Sequence, residues 1–312
     1  MSALKKTKDK IIFIVGPTAV GKTKAALLLA RRIGGEIVSC DSMQVYRGMR
    51  ILSQAPDPSE RKLVRHHLVS FFDPKHEYNV AKYRKSAVRI IRSILKCDRI
   101  PMIVGGSGLY AKALIDGLFL SPKENPGFRK RMRMFAKKYG NVRLHSRLKA
   151  IDESSALAIH PNDTRRVIRA LEIYNETGRT MTELKAETKG LKDECDVKLF
   201  GLILSRDRLY SSINDRVEKM FGAGLLAEVS KMMKKRLSRT AKAVLGFREI
   251  SLYLDGKCDI EAAKNAIKQA TRRYAKRQLT WFRADKRIKW FDVEKNGLSG
   301  AVKAIERGLK GK

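Results

Sequence analysis

The chain has 312 residues, 43% of them hydrophobic and 32% charged, enough apolar material for one large domain or two modest ones, which excludes wholesale disorder. Its 67 lysines and arginines against 32 aspartates and glutamates leave +35, so the folded chain bears strong self-repulsion unless a polyanion neutralises part of it. Nucleic acid is the first partner such a charge suggests, with solubility or a general lysine bias as the bland alternative.

Lys5, Lys6, Lys8 and Lys10 precede the apolar run Ile11 to Val15, which passes straight into a glycine motif without a signal-peptidase site, so a cytoplasmic chain is expected. The longest apolar runs, such as this one and Pro101 to Val104, are far short of the roughly 20 residues a bilayer span requires, so no membrane partner is expected. Ile11 to Val15 reads as a buried strand. The motif after it, Gly16-Pro17-Thr18-Ala19-Val20-Gly21-Lys22-Thr23, satisfies G-x-x-x-x-G-K-[ST], and Ala25 to Ile33 reads as the helix that must follow. The glycines let successive N–H groups point inward, the helix adds its positive end, Lys22 a mobile charge and Thr23 a hydroxyl for magnesium. A di- or triphosphate belongs there. Kinases, ATPases and GTPases share such a cradle, so it names a ligand class and leaves the reaction open.

Glu36 to Cys40 and Ile100 to Val104 read as further strands. Between them, Asn79 to Leu95 reads as a helix with Val80, Tyr83, Ala87, Ile90, Ile91 and Ile94 on one apolar face. This alternation, from Ile11 to about Gly117, predicts an α/β core: a P-loop NTPase-like parallel sheet with flanking helices. The strand Ile100 to Val104 runs into Gly105-Gly106-Ser107-Gly108 without the aspartate that a Walker B strand offers a metal, which weakens a hydrolytic reading. Asp41 instead closes the second strand, at the carboxyl edge where ligands gather in an open α/β sheet. Asp41 and Lys22 are therefore expected to face one crevice, as acid/base group and phosphate anchor; a plain strand-end turn residue is the alternative for Asp41.

Asn125 to Ile151 holds nine basic residues and no acid. Helices are expected at Gly127 to Lys138, Val142 to Ala150 and Thr164 to Thr177, the last ended by Gly178. Leu199 to Leu204 reads as a strand that needs a sheet to join, so 120–199 is expected to be an inserted all-helical domain in a core built from 1–119 and 200–312. Helices follow at Arg208 to Phe221, Leu225 to Lys235 and Ile260 to Phe282. The C-terminal basic stretch mixes Arg272, Arg273, Lys276, Arg277 and Arg283 with Tyr274, Trp281 and Phe282, rings that can stack on bases or pack into a core. Cys40, Cys97, Cys195 and Cys258 form no Cys-x-x-Cys pair or zinc-spaced cluster and read as reduced, mostly packing thiols. His66-His67 lacks a third ligand at metal spacing and is expected to order a loop or a pocket wall.

Seven landmarks in order resemble the tRNA dimethylallyltransferases, also called tRNA isopentenyltransferases, over nearly the whole chain. They are Gly16 to Thr23, Asp41-Ser42-Met43-Gln44 through Gly48, His66 to Leu68, Val104 to Tyr110, His160 to Asp163 with Arg165 to Glu172, Leu245 to Ile250, and Lys276 to Arg283. The family transfers a dimethylallyl group from dimethylallyl diphosphate to N6 of the adenosine at position 37 of tRNA, beside the anticodon, using Mg2+. The resemblance implies that Gly16, Pro17, Thr18, Ala19, Val20, Gly21, Lys22 and Thr23 hold the diphosphate and that Thr23 holds the magnesium. It places Arg216 beside them as a catalytic arginine. Asp41 is the candidate base, because the N6 lone pair is delocalised and a proton must be taken as the C–N bond forms. The resemblance further implies tRNA contacts from Asp41, Ser42, Met43, Gln44, Ser107, Arg129, Arg165, Arg166, Arg169, Gly246, Arg248, Gln278, Trp281 and Arg283. Ser107 departs mildly from the family's usual threonine. No Cys/His cluster follows Cys258, which resembles the bacterial type. The expected partners are the tRNA anticodon stem-loop and the prenyl diphosphate, with the chain a monomer. Two alternatives remain at this point: an adenylate isopentenyltransferase acting on free nucleotide, and a basic P-loop NTPase that binds RNA.

Overall fold

The computed structural model describes residues 9–119 and 122–310. Six strands, β1 (Lys10–Val15), β2 (Gly35–Ser39), β3 (His66–His67), β4 (Ile100–Gly105), β5 (Asp196–Ile203) and β6 (Lys289–Asp292), form one sheet in the order β3-β2-β4-β1-β5-β6. Every pairing is parallel. A parallel neighbour demands a crossover, and the chain supplies it with helices such as Lys22–Ile33 between β1 and β2 and Val80–Lys96 between β3 and β4. Both faces of the sheet are covered. Ile11, Phe13 and Val15 of β1 enter one hydrophobic cluster, whereas Ile12 and Ile14 enter the other. That explains why β1 reads as an unbroken apolar run rather than as an alternating one.

The chain divides into two compact units, 1–115 with 191–312, and 116–190. The sequence expectation of 120–199 for the helical segment differs at its end for a physical reason. Leu191 is buried in the core of the first unit, and Asp196 to Lys198 already pair with Lys10 to Ile12, so β5 starts three residues earlier than its apolar run suggests. The second unit contains helices Pro126–Tyr139, Asn141–Ile151, Glu153–Ala158, Thr164–Thr177 and Met181–Ala186 around Phe128, Leu144, Leu148, Val167, Ile168 and Leu171. Gly178 ends the fourth of these in the left-handed conformation, as its position predicts.

β3 and β6 have no counterpart in the sequence reading. The histidine pair forms β3 at the sheet edge, beside Ile37 and Val38. His67 Nε2 lies 2.6 Å from Glu36 Oε2 and His66 Nδ1 lies 2.8 Å from the Val64 carbonyl, so the pair orders local structure. Among the described residues no group of three or more His, Cys, Asp or Glu side chains could hold a metal ion, and no helix is long and apolar enough to cross a membrane. Cys40 is buried, Cys195 and Cys258 are half-buried, and Cys97 is exposed.

The second unit is organised around a buried charge. Glu172, with 0% exposure, accepts from Arg129 Nε and Nη2 at 2.9 and 2.7 Å, from the Asn125 N–H at 2.7 Å, and from Arg169. Burial alone would raise its carboxyl, but the arginines and the N–H outweigh burial and hold it below the ordinary carboxylate value. Glu172→Ala leaves two arginines facing an emptied site, which costs about 3–5 kcal/mol. Hydrogen exchange at the amides of helix Thr164–Thr177 is expected to accelerate by roughly two to three orders of magnitude, while β1 and β4 keep their protection. Equal protection of that helix in wild type and variant would show that Glu172 does not hold it.

Candidate active site

The glycine loop Gly16 to Thr23 leaves the carboxyl end of β1, the strand between β4 and β5. Gly16, Ala19 and Gly21 have φ of 142°, 66° and 93°. Gly16 is required sterically as well, because a Cβ there would stand 2.5 Å from the Leu202 carbonyl oxygen. Helix Lys22–Ile33 then starts with no side-chain cap and no acid in its first turn, so its first N–H groups and its positive dipole end are offered to an anion. Lys22 folds back, its Nζ donating to the Pro17 carbonyl at 2.6 Å. Burial, and then the charge of Arg216, pull the Lys22 ammonium down to about 7 against the opposing pull of Asp41.

Asp41 stands one strand beyond β4. The carboxyl ends of β2 and β4 stay zipped past their last ladder residues, since Cys40 N–H donates to Val104 at 2.7 Å and Ser107 N–H to Cys40 at 3.1 Å. Gly105 makes this approach possible: a Cβ there would meet the Cys40 carbonyl oxygen at 2.1 Å. Asp41 Oδ1 accepts from the N–H of Met43 at 2.8 Å and of Gln44 at 3.4 Å, the local turn an aspartate makes, and Ser42 N–H donates to Ser107 Oγ at 3.1 Å. Gln44 is held by Ser39 Oγ at 2.8 Å and donates to the Gln54 carbonyl at 2.9 Å. The second oxygen of Asp41 has no bond among these, and the residue is half-buried.

Arg216, on helix Arg206–Gly222, completes the charge cluster. Its Nη1 donates to Thr18 Oγ1 at 2.9 Å and its Nε to Gln54 Oε1 at 2.5 Å. Burial lowers its guanidinium to about 10, and Asp41 opposes that shift. Asp41 thus acts electrostatically on both Lys22 and Arg216, and also on Tyr274, whose hydroxyl burial pushes up first and the carboxylate pushes further. One cation at the end of the glycine loop, one from helix Arg206–Gly222 and one carboxylate from the end of β2 share a neighbourhood. A site so built can bind a polyphosphate and take a proton beside it.

The structure brings together Gly16 to Thr23, Asp41 to Gln44, Ser107 and Arg216. Gln278 joins them from helix Ile260–Arg283, buried, with its amide engaged by Thr18 N–H at 2.8 Å and the Gly106 carbonyl at 2.9 Å. Trp281 lies against Gly108, where a Cβ would meet the ring at 2.1 Å, yet keeps 38% exposure, whereas Phe282 is core. Arg283 and Arg248 are exposed, and Gly246, φ 92°, starts helix Phe247–Leu254 packed against Leu52 and Ile267. In the second unit Arg129 and Arg169 are engaged by Glu172, while Arg165 and Arg166 are exposed, the latter paired with Asp163. Residues missed by sequence reasoning are Gln54, left-handed at φ 54° and bonded to Arg216, Tyr274, whose hydroxyl is pushed up by burial and then by Asp41, and Glu172. Only the last had a signal, the three-residue spacing from Arg169.

The IPP transferase family model matches residues 44–285 and the isopentenyl transferase model residues 9–70. The tRNA dimethylallyltransferase of Carboxydothermus hydrogenoformans is 44% identical over 95% of this chain and 96% of its own, and that of Halothermothrix orenii 43% over 96% and 91%. The crystal structure of the full-length tRNA isopentenylpyrophosphate transferase from Bacillus halodurans superposes with a TM-score of 0.73 at 39% identity, covering 97% of this chain and 96% of that one. A eukaryotic dimethylallyltransferase captured acting on tRNA superposes at 0.77 with 27% identity, covering 97% and 80%. An α/β parallel sheet with a phosphate loop but no Walker B aspartate, matched along nearly its full length by prenyl-transferring enzymes, places this chain in the tRNA dimethylallyltransferase family.

Proposed function

We propose that the chain transfers a dimethylallyl group from dimethylallyl diphosphate to N6 of the adenosine at position 37 in the anticodon stem-loop of tRNA, as a cytoplasmic monomer. The single observation that carries this reading is the placement of Asp41, just past β2, at the same carboxyl edge of the parallel sheet as the loop after β1 that ends in Lys22 and is bonded by Arg216 through Thr18. N6 attacks C1 of the prenyl group, the C1–O bond breaks with its electron pair passing to the diphosphate oxygen, and the proton of N6 goes to Asp41. Charge growing on the leaving diphosphate meets the N–H groups of the loop, Lys22 and Arg216, all in place before the reaction. To reach Asp41 the adenosine swings out of the anticodon stack, a cost of a few kcal/mol that is least in a single-stranded loop. The exposed Arg165, Arg166, Arg248, Trp281 and Arg283 are the side chains best placed to meet RNA, with Ser42, Met43 and Ser107 near the base.

Mg2+ fits this donor set. Thr23 offers one hydroxyl beside the loop, and a cation held mainly by water and substrate phosphate oxygens needs no all-protein cage. When bound it neutralises charge on the departing diphosphate.

Lys22 makes the reading pH-sensitive. Its ammonium is lost above about 7 in the free chain, and a bound polyphosphate favours the charged form, so binding above pH 7 takes up a proton. Affinity for inorganic pyrophosphate should fall by up to about tenfold per pH unit above 7 in excess of that of Lys22→Arg, whose side chain stays charged. Identical pH profiles for the two by calorimetry would contradict this role for Lys22.

Incubating the chain with labelled dimethylallyl diphosphate, Mg2+ and unmodified tRNA should move label into tRNA. Label on AMP would favour the free-nucleotide alternative, and phosphate release from ATP the NTPase.

A further inference from the structure

The N–H and the hydroxyl of Thr18, inside the phosphate loop, are held by side chains distant in sequence. Its N–H donates to Gln278 Oε1 at 2.8 Å and its hydroxyl accepts from Arg216 at 2.9 Å. The carbonyl of the same peptide plane, that of Pro17, accepts Lys22 Nζ at 2.6 Å. In a planar trans peptide the N–H and C=O point in opposite directions, so fixing one aims the other. Gln278, by holding the Thr18 N–H, aims the Pro17 carbonyl at Lys22. Its Nε2 donates to the Gly106 carbonyl at 2.9 Å, and the packing leaves no slack, because a Cβ on Gly106 would stand 2.0 Å from Gln278 Nε2. A neutral amide accepts from an N–H and donates to a C=O at once, which an ionised carboxylate or an ammonium at the same place could not do.

Resting on the diphosphate reading above, we propose that Gln278 is a positioning residue of the phosphate site, which sets the Pro17–Thr18 peptide and through it the resting place of Lys22, and that it contributes to anion affinity rather than to RNA contact. The helix that carries it, Ile260–Arg283, thereby braces the loop between β1 and the end of β4. No charge is involved, so the effect is one of orientation. A freed Pro17–Thr18 peptide turns, Lys22 loses its acceptor, and the loop must be ordered again each time an anion binds.

Two variants reach the same peptide from different sides. Gln278→Met keeps the side-chain volume without hydrogen bonds, and Gly106→Ala expels the amide without altering the helix. Binding of inorganic pyrophosphate and of unmodified tRNA is measured by calorimetry for each. The expected result is pyrophosphate affinity lowered about tenfold in both variants, the loss of one buried hydrogen bond, with tRNA affinity unchanged, which also shows that the variants are folded. Unchanged pyrophosphate affinity in both would overturn the proposal, as would a fall in tRNA affinity alone, which would make Gln278 an RNA contact. Wild-type chain that binds no pyrophosphate would count against the phosphate reading itself, an outcome separate from equal binding by wild type and variants.

Discussion

Asp41→Asn should remove prenyl transfer to tRNA by about two to four orders of magnitude, the range spanned by loss of a positioned general base. The substitution keeps the oxygen that accepts from Met43 and Gln44, so the turn survives and the loss falls on the proton-accepting oxygen. Affinity for tRNA and for pyrophosphate should persist, which separates chemistry from binding. Single-turnover label transfer at saturating tRNA reads the effect directly. A rate within a few-fold of wild type would assign the proton to another group, of which the site offers few: Tyr110 and Tyr274 hold their protons more firmly than an ordinary phenol, and Cys40, raised to about 12 chiefly by burial, stays a thiol at neutral pH.

The second large effect belongs to Arg216. Its guanidinium is held by Thr18 and Gln54 and is poised for an anion that takes the place of its neutral partners. Arg216→Ala should lower the transfer rate by about 10²–10³, the cost of removing one preorganised charge-stabilising donor, with tRNA affinity unchanged. Arg216→Lys should recover little, because one ammonium cannot span both Thr18 Oγ1 and Gln54 Oε1 as the planar fork does. The comparison is made on the chemical step. A loss confined to tRNA affinity would place Arg216 on the RNA side of the site instead.

Much of the core was legible because buried parallel strands announce themselves as short apolar runs next to glycine motifs. Ile11 to Val15 and Ile100 to Val104 lie within one residue of the strands found, and the helix ended by Gly178 has the expected bounds. β3 and β6 were not legible. One is two residues long and the other begins with an exposed lysine, and edge strands of that kind are defined by the neighbour they pair with, not by their own pattern. The phosphate loop and Asp41 were readable because motif and strand end fix their place. What Gln278, Arg129 and Arg169 do was hidden. Each looks like a surface residue of a basic helix, and only tertiary packing reveals that Gln278 reaches Thr18, 260 positions away, and that both arginines converge on Glu172.

The central claim is spatial: the Asp41 carboxylate and the phosphate loop serve one reacting pair. A structure of the chain with bound pyrophosphate and an unmodified anticodon stem-loop tests it most directly. Pyrophosphate is expected on the N–H groups of Gly16 to Thr23, with an unstacked adenosine whose N6 lies within about 3 Å of Asp41 and a clear line to the pyrophosphate. An adenosine bound elsewhere, or Asp41 walled off from the pyrophosphate by side chains, would contradict it.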